Sequence, residues 1–403
     1  MEKEIISIQG GKTVIIKNIE IITENYEHVR GSLRIENDTI AEISTGDLHT
    51  KQTIPVIDGQ GLMAIPGFID VHIHGADGHD TMDASRKALN GIATVLPREG
   101  TTSFLPTTMT QHPDAITAAL ENIADYMKEN QAGNGAEVLG IHLEGPFISR
   151  EKAGAQPEEF IRKPDISLFE KWQAASNNNI RLVTLAPEET GALALIAYLD
   201  KHGVVASIGH TNATYQEAME AVNHGAKHVT HLFNQMSGLH HREPGVAGAA
   251  LIRDELSLEV IADNVHVHPE AVHLAYRSKG AGKLMLITDA MRAKCLPNGS
   301  YELGGQAVEV TGNEVRLPDG TLAGSILTLQ EAAKNMTEIA DISIAELIKM
   351  TSENAARQLG IFDRKGSIRI GKDADLVLID KNRDVVMTIC RGEIAFEKED
   401  WQA

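Results

Sequence analysis

Apolar runs of strand length recur eight times in the middle of this chain, at residues 68–73, 103–105, 137–143, 181–185, 204–208, 228–232, 258–261 and 284–287. Helix-forming segments stand between most of them, at 113–130, 167–177, 191–202 and 215–223. Parallel strands need a long crossover and a helix supplies it, so the alternation predicts an α/β fold with a parallel sheet. Eight such units in roughly 300 residues match a closed (β/α)₈, TIM-like barrel better than an open sheet. A doubly wound sheet is the alternative, but no glycine-rich dinucleotide turn follows the first run.

Both ends of the chain have a different texture. Residues 13–17, 19–22, 31–36, 39–43 and 56–59 are β-branched and partly alternating, and so are 367–370, 376–379, 385–389 and 393–396. Such runs read as strands. The economical arrangement is a small β-sandwich domain made from both termini, 1–64 with 365–403, and a barrel of 65–364 inserted between them.

Charge and cysteine content narrow the function. The formal net charge of −19 is spread along the chain, which argues against nucleic acid as a partner. An anionic substrate would therefore need a local basic pocket. Cys295 and Cys390 are too few for a disulfide framework, which suggests a reducing compartment. The stretch 1–11 has no apolar signal-peptide region, and no run approaches the ~18 apolar residues of a membrane span. The expectation is a cytoplasmic protein with no membrane partner.

The strand ends carry the chemistry. His72 and His74 close the first run; being two apart on a strand, they face the same way. Glu144 ends the third, His210 follows the fifth, His231 lies on the sixth, Asp263 to His266 follow the seventh and Asp289 follows the eighth. Each alone has an ordinary explanation as a cap, a turn or a buried histidine, and His142 and Thr288 read that way. Convergence at one end of six barrel strands does not, because that end is where barrel enzymes place their catalytic groups. Four imidazoles and a carboxylate suit Zn, Fe, Mn or Co, and Glu144 has two oxygens with which to bridge two ions. Asp289 stands apart as a general acid–base. The chemistry expected is metal-assisted hydrolysis of an amide or related C–N bond. His79, His240, His241 and His268 read as solvent-exposed loop histidines.

The strand-end His-X-His, later single histidines and a last-strand Asp resemble the amidohydrolase superfamily. A narrower likeness rests on His142-Leu-Glu-Gly-Pro-Phe147, Gly209-His-Thr211, Thr230-His-Leu-Phe-Asn234, Arg242-Glu-Pro-Gly245, Ile261-Ala-Asp263 and Leu322-Ala-Gly-Ser325. Together these resemble the family of N-acetylglucosamine-6-phosphate deacetylases. The resemblance implies Glu144, His210 and His231 as metal ligands and Asp289 as catalytic acid–base. His72 and His74 favour a second ion. It implies Asn234, Gln235, Arg242, Asp263, Asn264, Val265 and His266 as sugar-phosphate contacts, and Leu322, Ala323 and Gly324 as a loop beside the substrate. Ala155 and Gln156 fall where some members have a carbonyl-polarising histidine; this chain has Gln156. The resemblance further implies a homodimer in which Arg242 acts on a neighbouring subunit. The galactosamine epimer is an alternative substrate, and a non-catalytic sugar-phosphate-binding barrel is a more distant alternative. Cyclic-amide hydrolases of this scaffold often bridge their ions with a carboxylated lysine, and no lysine lies near the end of a central run here.

Overall fold

The computed structural model describes residues 13–48, 54–129, 135–399 and 401, so the stretch 1–11 lies outside the described residues. The eight expected strands are present as β1 (Phe68–Ile73), β2 (Thr101–Thr108), β3 (Ile141–Glu144), β4 (Ile180–Leu185), β5 (Val205–Ile208), β6 (His228–Val229), β7 (Ser257–Val260) and β8 (Leu284–Leu286). They pair in parallel in chain order, each with the next.

Local chemistry explains where the boundaries moved. β2 is longer than the sequence suggests because its threonines fit a pleated surface, and Thr107 repays its burial by hydrogen bonding across to β1. The run 137–143 is cut in two, Glu137–Val138 and then β3, with Gly140 between them at φ +153°. The sixth strand stops at Val229 because the chain turns away from the sheet, and His231 sits at φ +27°.

Helices α1 (Arg86–Val95), α2 (Pro113–Lys128), α3 (Ile166–Ala175), α4 (Ala192–Lys201), α5 (Tyr215–Asn223), α6 (Gly245–Ile252), α7 (Pro269–Lys279) and α8 (Leu329–Ala340) follow the strands in turn. α1 buries Ala88, Leu89, Ile92, Ala93 and Val95, the one-sided stripe of a helix lying on a sheet. Thr214 and Glu217 close a capping box at the start of α5, as Thr328 and Glu331 do for α8.

The ring closes between β1 and β8 without a ladder. A bridge joins Ile73 to Ala290, the Asp289 amide donates to the His72 carbonyl at 2.9 Å, and the His74 amide donates to the Ala290 carbonyl at 2.8 Å. Beneath them the Thr288 hydroxyl donates to buried Asp70 at 2.6 Å.

The terminal strands form one eight-stranded sheet with a core of its own, including Val14, Ile16, Ile21, Leu33, Leu376 and Met387. The expected strands 13–17 and 19–22 are one strand, Thr13–Ile22, kinked by a bulge after Ile16. Residues 367–370 do not form a strand; Ile368 makes a single bridge to Thr23. A three-stranded antiparallel sheet follows β8, built from Gly299–Leu303, Gln306–Thr311 and Glu314–Arg316. Its first turn leans over the barrel mouth, where Gln306 donates to the Ala155 carbonyl at 2.8 Å.

Candidate metal centre and active site

β1 and β3 deliver His72, His74 and Glu144 directly, as strand-end side chains pointing into the mouth. The other three arrive on turns. His210, His231 and Asp289 each lie a few residues past a strand and each has a left-handed backbone, at φ +49°, +27° and +48°. Non-glycine residues rarely hold that conformation, and it concentrates where surrounding structure enforces it at functional sites.

The side chains meet. Glu144 Oε1 lies 3.4 Å from His72 Nε2, 3.2 Å from His210 Nε2 and 3.3 Å from His231 Nε2. Its Oε2 lies 3.2 Å from His74 Nε2. The Nε2 atoms of His210 and His231 are 3.1 Å apart. Asp289 Oδ1 stands 3.4 Å from His72 Nε2 and 3.3 Å from His74 Nε2. Two ligand-like triads result, His72–His74–Glu144 and Glu144–His210–His231, with Glu144 common to both. All five ligand candidates are buried and Asp289 is largely so.

The ring tautomers test whether this set fits a cation. His72 Nδ1 faces Glu259 at 2.9 Å, His74 Nδ1 the Thr107 carbonyl at 3.2 Å, His210 Nδ1 the Lys152 carbonyl at 2.9 Å and His231 Nδ1 the Asn234 carbonyl at 3.2 Å. Carbonyls and carboxylates only accept, so the ring proton belongs on Nδ1 in every case. Four Nε2 lone pairs and the Glu144 carboxylate then converge on one space. Buried acceptors facing acceptors require a cation or extra protons between them. His72 Nε2 has no hydrogen-bond partner among the described residues, which is the mark of a ligand atom. The spacings of 3.1–3.4 Å come close to ligand edges, since donors held ~2.0–2.2 Å from a tetrahedral ion lie about 3.3–3.6 Å apart. The donor set therefore fits a divalent metal.

The field in the mouth is consistent with this. Burial pushes the His74 imidazole down, but Asp289 and Glu144 outweigh it and raise its pKa to about 10. Burial pushes the Asp289 carboxyl up, but His72 and His74 outweigh it and bring it to about 2. Glu144 is likewise held well below the usual carboxylate range, chiefly by His72, His210 and His231 against its burial. The carboxylates are ionised at neutral pH and attract positive charge.

Around this centre the cavity is lined by Met109, Ala155, Gln156, Asn234, Gln235, His266, Leu303, Leu322 and Gly324. Gln156 is pinned at both ends: it donates to Glu144 Oε2 at 2.7 Å and accepts from the Thr110 amide at 2.7 Å. Asp263 shapes its own turn, accepting from the amides of Val265 and His266 and holding the His266 ring at 2.6 Å. Asp263 and Asn264 line a neighbouring hollow, while His266 enters the mouth itself. Ala323 is buried behind the loop, and Gly324 sits at φ +64° where an added Cβ would meet the Asp289 carbonyl at 3.1 Å. Arg242 is not among the residues lining the mouth. It is exposed, with its guanidinium 2.7 Å from His241 Nε2.

Sequence reasoning missed Met109 and Leu303, which supply apolar wall, and it missed Glu259. His142 is structural, as expected, donating or accepting at 2.7 Å with the Thr184 hydroxyl. His240 and His241 are exposed, and His268 is exposed and caps α7. His79 departs from expectation: it is half-buried in a two-residue strand, its ring packed against Gly91. No helix among the described residues is long and apolar enough to cross a membrane.

The chain is similar to known proteins along most of its length. The profile of the amidohydrolase family matches residues 63–395. An N-acetylglucosamine-6-phosphate deacetylase of Bacillus subtilis is 49% identical over 386 residues, spanning 96% of this chain and 98% of that one. An N-acetylgalactosamine-6-phosphate deacetylase of Escherichia coli O157:H7 is 38% identical, spanning 95% of this chain and 99% of that one. The crystal structure of an N-acetylglucosamine-6-phosphate deacetylase from Thermotoga maritima superposes with a TM-score of 0.85 at 37% identity, covering 95% of this chain and 100% of that one.

Proposed function

The chain belongs to the amidohydrolase family, and on that premise we propose that it hydrolyses the N-acetyl group of N-acetylglucosamine 6-phosphate, giving glucosamine 6-phosphate and acetate. The observation that carries the reading is the pair of triads sharing Glu144, with Asp289 beside both strand-one histidines. The substrate class follows from near-full-length identity to the Bacillus protein.

His72, His74 and Glu144 would hold one divalent ion, and Glu144, His210 and His231 the other. Bound there, such an ion lowers the pKa of a coordinated water from 15.7 to about 7 and polarises a carbonyl oxygen. Asp289 is ionised and positioned to take the proton of the attacking water. It then hands that proton to the nitrogen as the amide C–N bond breaks, so the amine leaves neutral and acetate keeps the new oxygen. Gln156 occupies the place of a carbonyl-polarising histidine, but its amide is committed to Glu144. We therefore assign it to orienting that ligand; polarising the carbonyl is chemistry that a bound ion would supply. Met109, Leu303 and Leu322 give the mouth an apolar wall that suits an acetyl methyl.

Asn234, Gln235 and His266 stand where the sugar phosphate would lie. Arg242, exposed and away from this mouth, suits the phosphate of a substrate bound to a second copy, since a guanidinium grips phosphate bidentately. That assignment makes the protein a homodimer, and we expect it in the cytoplasm. The galactosamine epimer is the second reading, favoured by the Escherichia coli relative. Acetate release measured on both epimeric N-acetylhexosamine 6-phosphates, and on both unphosphorylated sugars, tests the proposal. We expect the gluco phosphate to give the highest kcat/KM; equal turnover of free and phosphorylated sugars would overturn the substrate assignment. Metal analysis of the purified protein should find two divalent ions per chain.

A further inference from the structure

We propose that Glu259 is a positioning residue that ties the two metal half-sites together, so that both ions depend on one buried carboxylate oxygen. The proposal rests on the two-ion reading above. Glu259 lies inside β7 and is fully buried. A carboxylate is tolerated there only if its oxygens are put to use. Its Oε2 lies 2.9 Å from His72 Nδ1 and accepts from the His231 backbone amide at 3.0 Å. One oxygen thus fixes the ring of a ligand in the first triad and the main chain of a ligand in the second.

Both bonds act where fixing matters. Among the described residues, no other hydrogen-bond partner is found for His72 Nδ1, so Glu259 sets that ring's tautomer and, with the edge-on His142 ring at 4.5 Å, helps fix its tilt. His231 holds its backbone at φ +27°, a conformation that has to be enforced from outside. The remaining oxygen, Oε1, faces His228 Nε2 at 3.9 Å, and among the described residues neither atom has a hydrogen-bond partner. The Oε2 contacts therefore account for the hydrogen bonding of this carboxylate. It sits on the far side of His72 from the mouth, touches neither substrate space nor Asp289, and acts only through the ligands.

Losing an outer partner of a ligating histidine typically costs 10–100-fold in metal affinity. If one oxygen serves both half-sites, that cost falls on both ions together. The test is Co²⁺ binding to metal-stripped protein, followed by equilibrium dialysis and by the visible absorption of the bound ion. Glu259→Leu should bind both ions 10–100-fold more weakly than the native chain. Glu259→Gln, which keeps an acceptor oxygen without the charge, should fall between the two. Unchanged affinity for both ions in Glu259→Leu, or loss confined to one ion, overturns the proposal. So does a lowered melting temperature of the metal-free variant with both affinities intact, which is what a purely structural role would give. If Glu259→Leu does not fold, Glu259→Gln decides, and native affinity for both ions refutes the idea. A native protein that takes up fewer than two Co²⁺ sinks the two-ion reading and this proposal with it. A native protein that takes up two, beside an unaffected variant, sinks this proposal alone.

Discussion

At the metal pole of the mouth, His72, His74, Glu144, His210 and His231 are buried and every imidazole has its inner nitrogen anchored. Away from the mouth, at the proposed phosphate-recognition pole, Arg242 is exposed on the short His240–Glu243 bridge and its guanidinium meets a neighbouring histidine. The first region holds its shape before any ligand arrives. Among the described residues the second makes local contacts, to His240 and His241, and on the proposed reading a bound anion or a partner copy would fix it further. Preorganised groups stabilise a transition state without reorganising at the moment of reaction. A loosely held cation contributes mainly to capture. Changes at the two poles should therefore separate into effects on kcat and effects on KM.

The sharpest break is Asp289→Asn. It keeps the shape and removes the proton acceptor, and kcat should fall by about 10²–10⁴-fold with metal content unchanged. Near-native kcat at full metal occupancy would reduce Asp289 to a turn cap and end the mechanism proposed here. Next comes Gln156→Leu, which strips Glu144 Oε2 of its 2.7 Å donor. Metal affinity should drop roughly 10–100-fold, read by dialysis against a chelator; unchanged affinity would make Gln156 a wall residue. At the other pole, Arg242→Ala should raise KM for the phosphorylated sugar about tenfold, the loss of one charge-assisted contact, and leave kcat in place. Mixing Arg242→Ala with Asp289→Asn subunits should restore low-KM turnover if the arginine serves a partner's mouth. No recovery in verified mixed dimers would return Arg242 to its own chain or to the solvent. The smallest effect should come from salt. Moving from low to ~0.5 M ionic strength should raise KM by about two- to threefold by screening an exposed cation, with the metal pole indifferent.

The metal pole was the more legible of the two in the sequence. A candidate ligand at a strand end is announced by the apolar run before it, so His72, His74 and Glu144 are legible as strand-end groups, although only their convergence with the other strand ends singles them out. His210, His231 and Asp289 follow from position, although nothing in the letters reveals their left-handed backbones. Glu259 left a signal that the strand pattern overrides: 258–261 reads as an apolar strand, and a charge inside it implies a buried partner that only the folded barrel supplies. The sheet at 299–316 also left one. Gly304-Gly305 sits between alternating residues, and both take positive φ, as a tight hairpin turn requires. Arg242 shows the limit from the other side. Its proposed role depends on what faces it from a second copy, and the contact its guanidinium makes among the described residues is to His241.

The closure between β1 and β8 has a consequence for the order in which this protein comes into being. Every proposed ligand lies between His72 and His231, whereas Asp289 crosses the seam to meet them from beyond β8. Synthesis delivers the chain N-terminus first. The ribosome therefore releases a complete set of metal donors more than fifty residues before the carboxylate that moves the proton. A nascent chain can own its ligands while it is still incapable of hydrolysis. On the proposed mechanism, hydrolysis would begin only once the last strand docks against the first and carries Asp289 to the mouth.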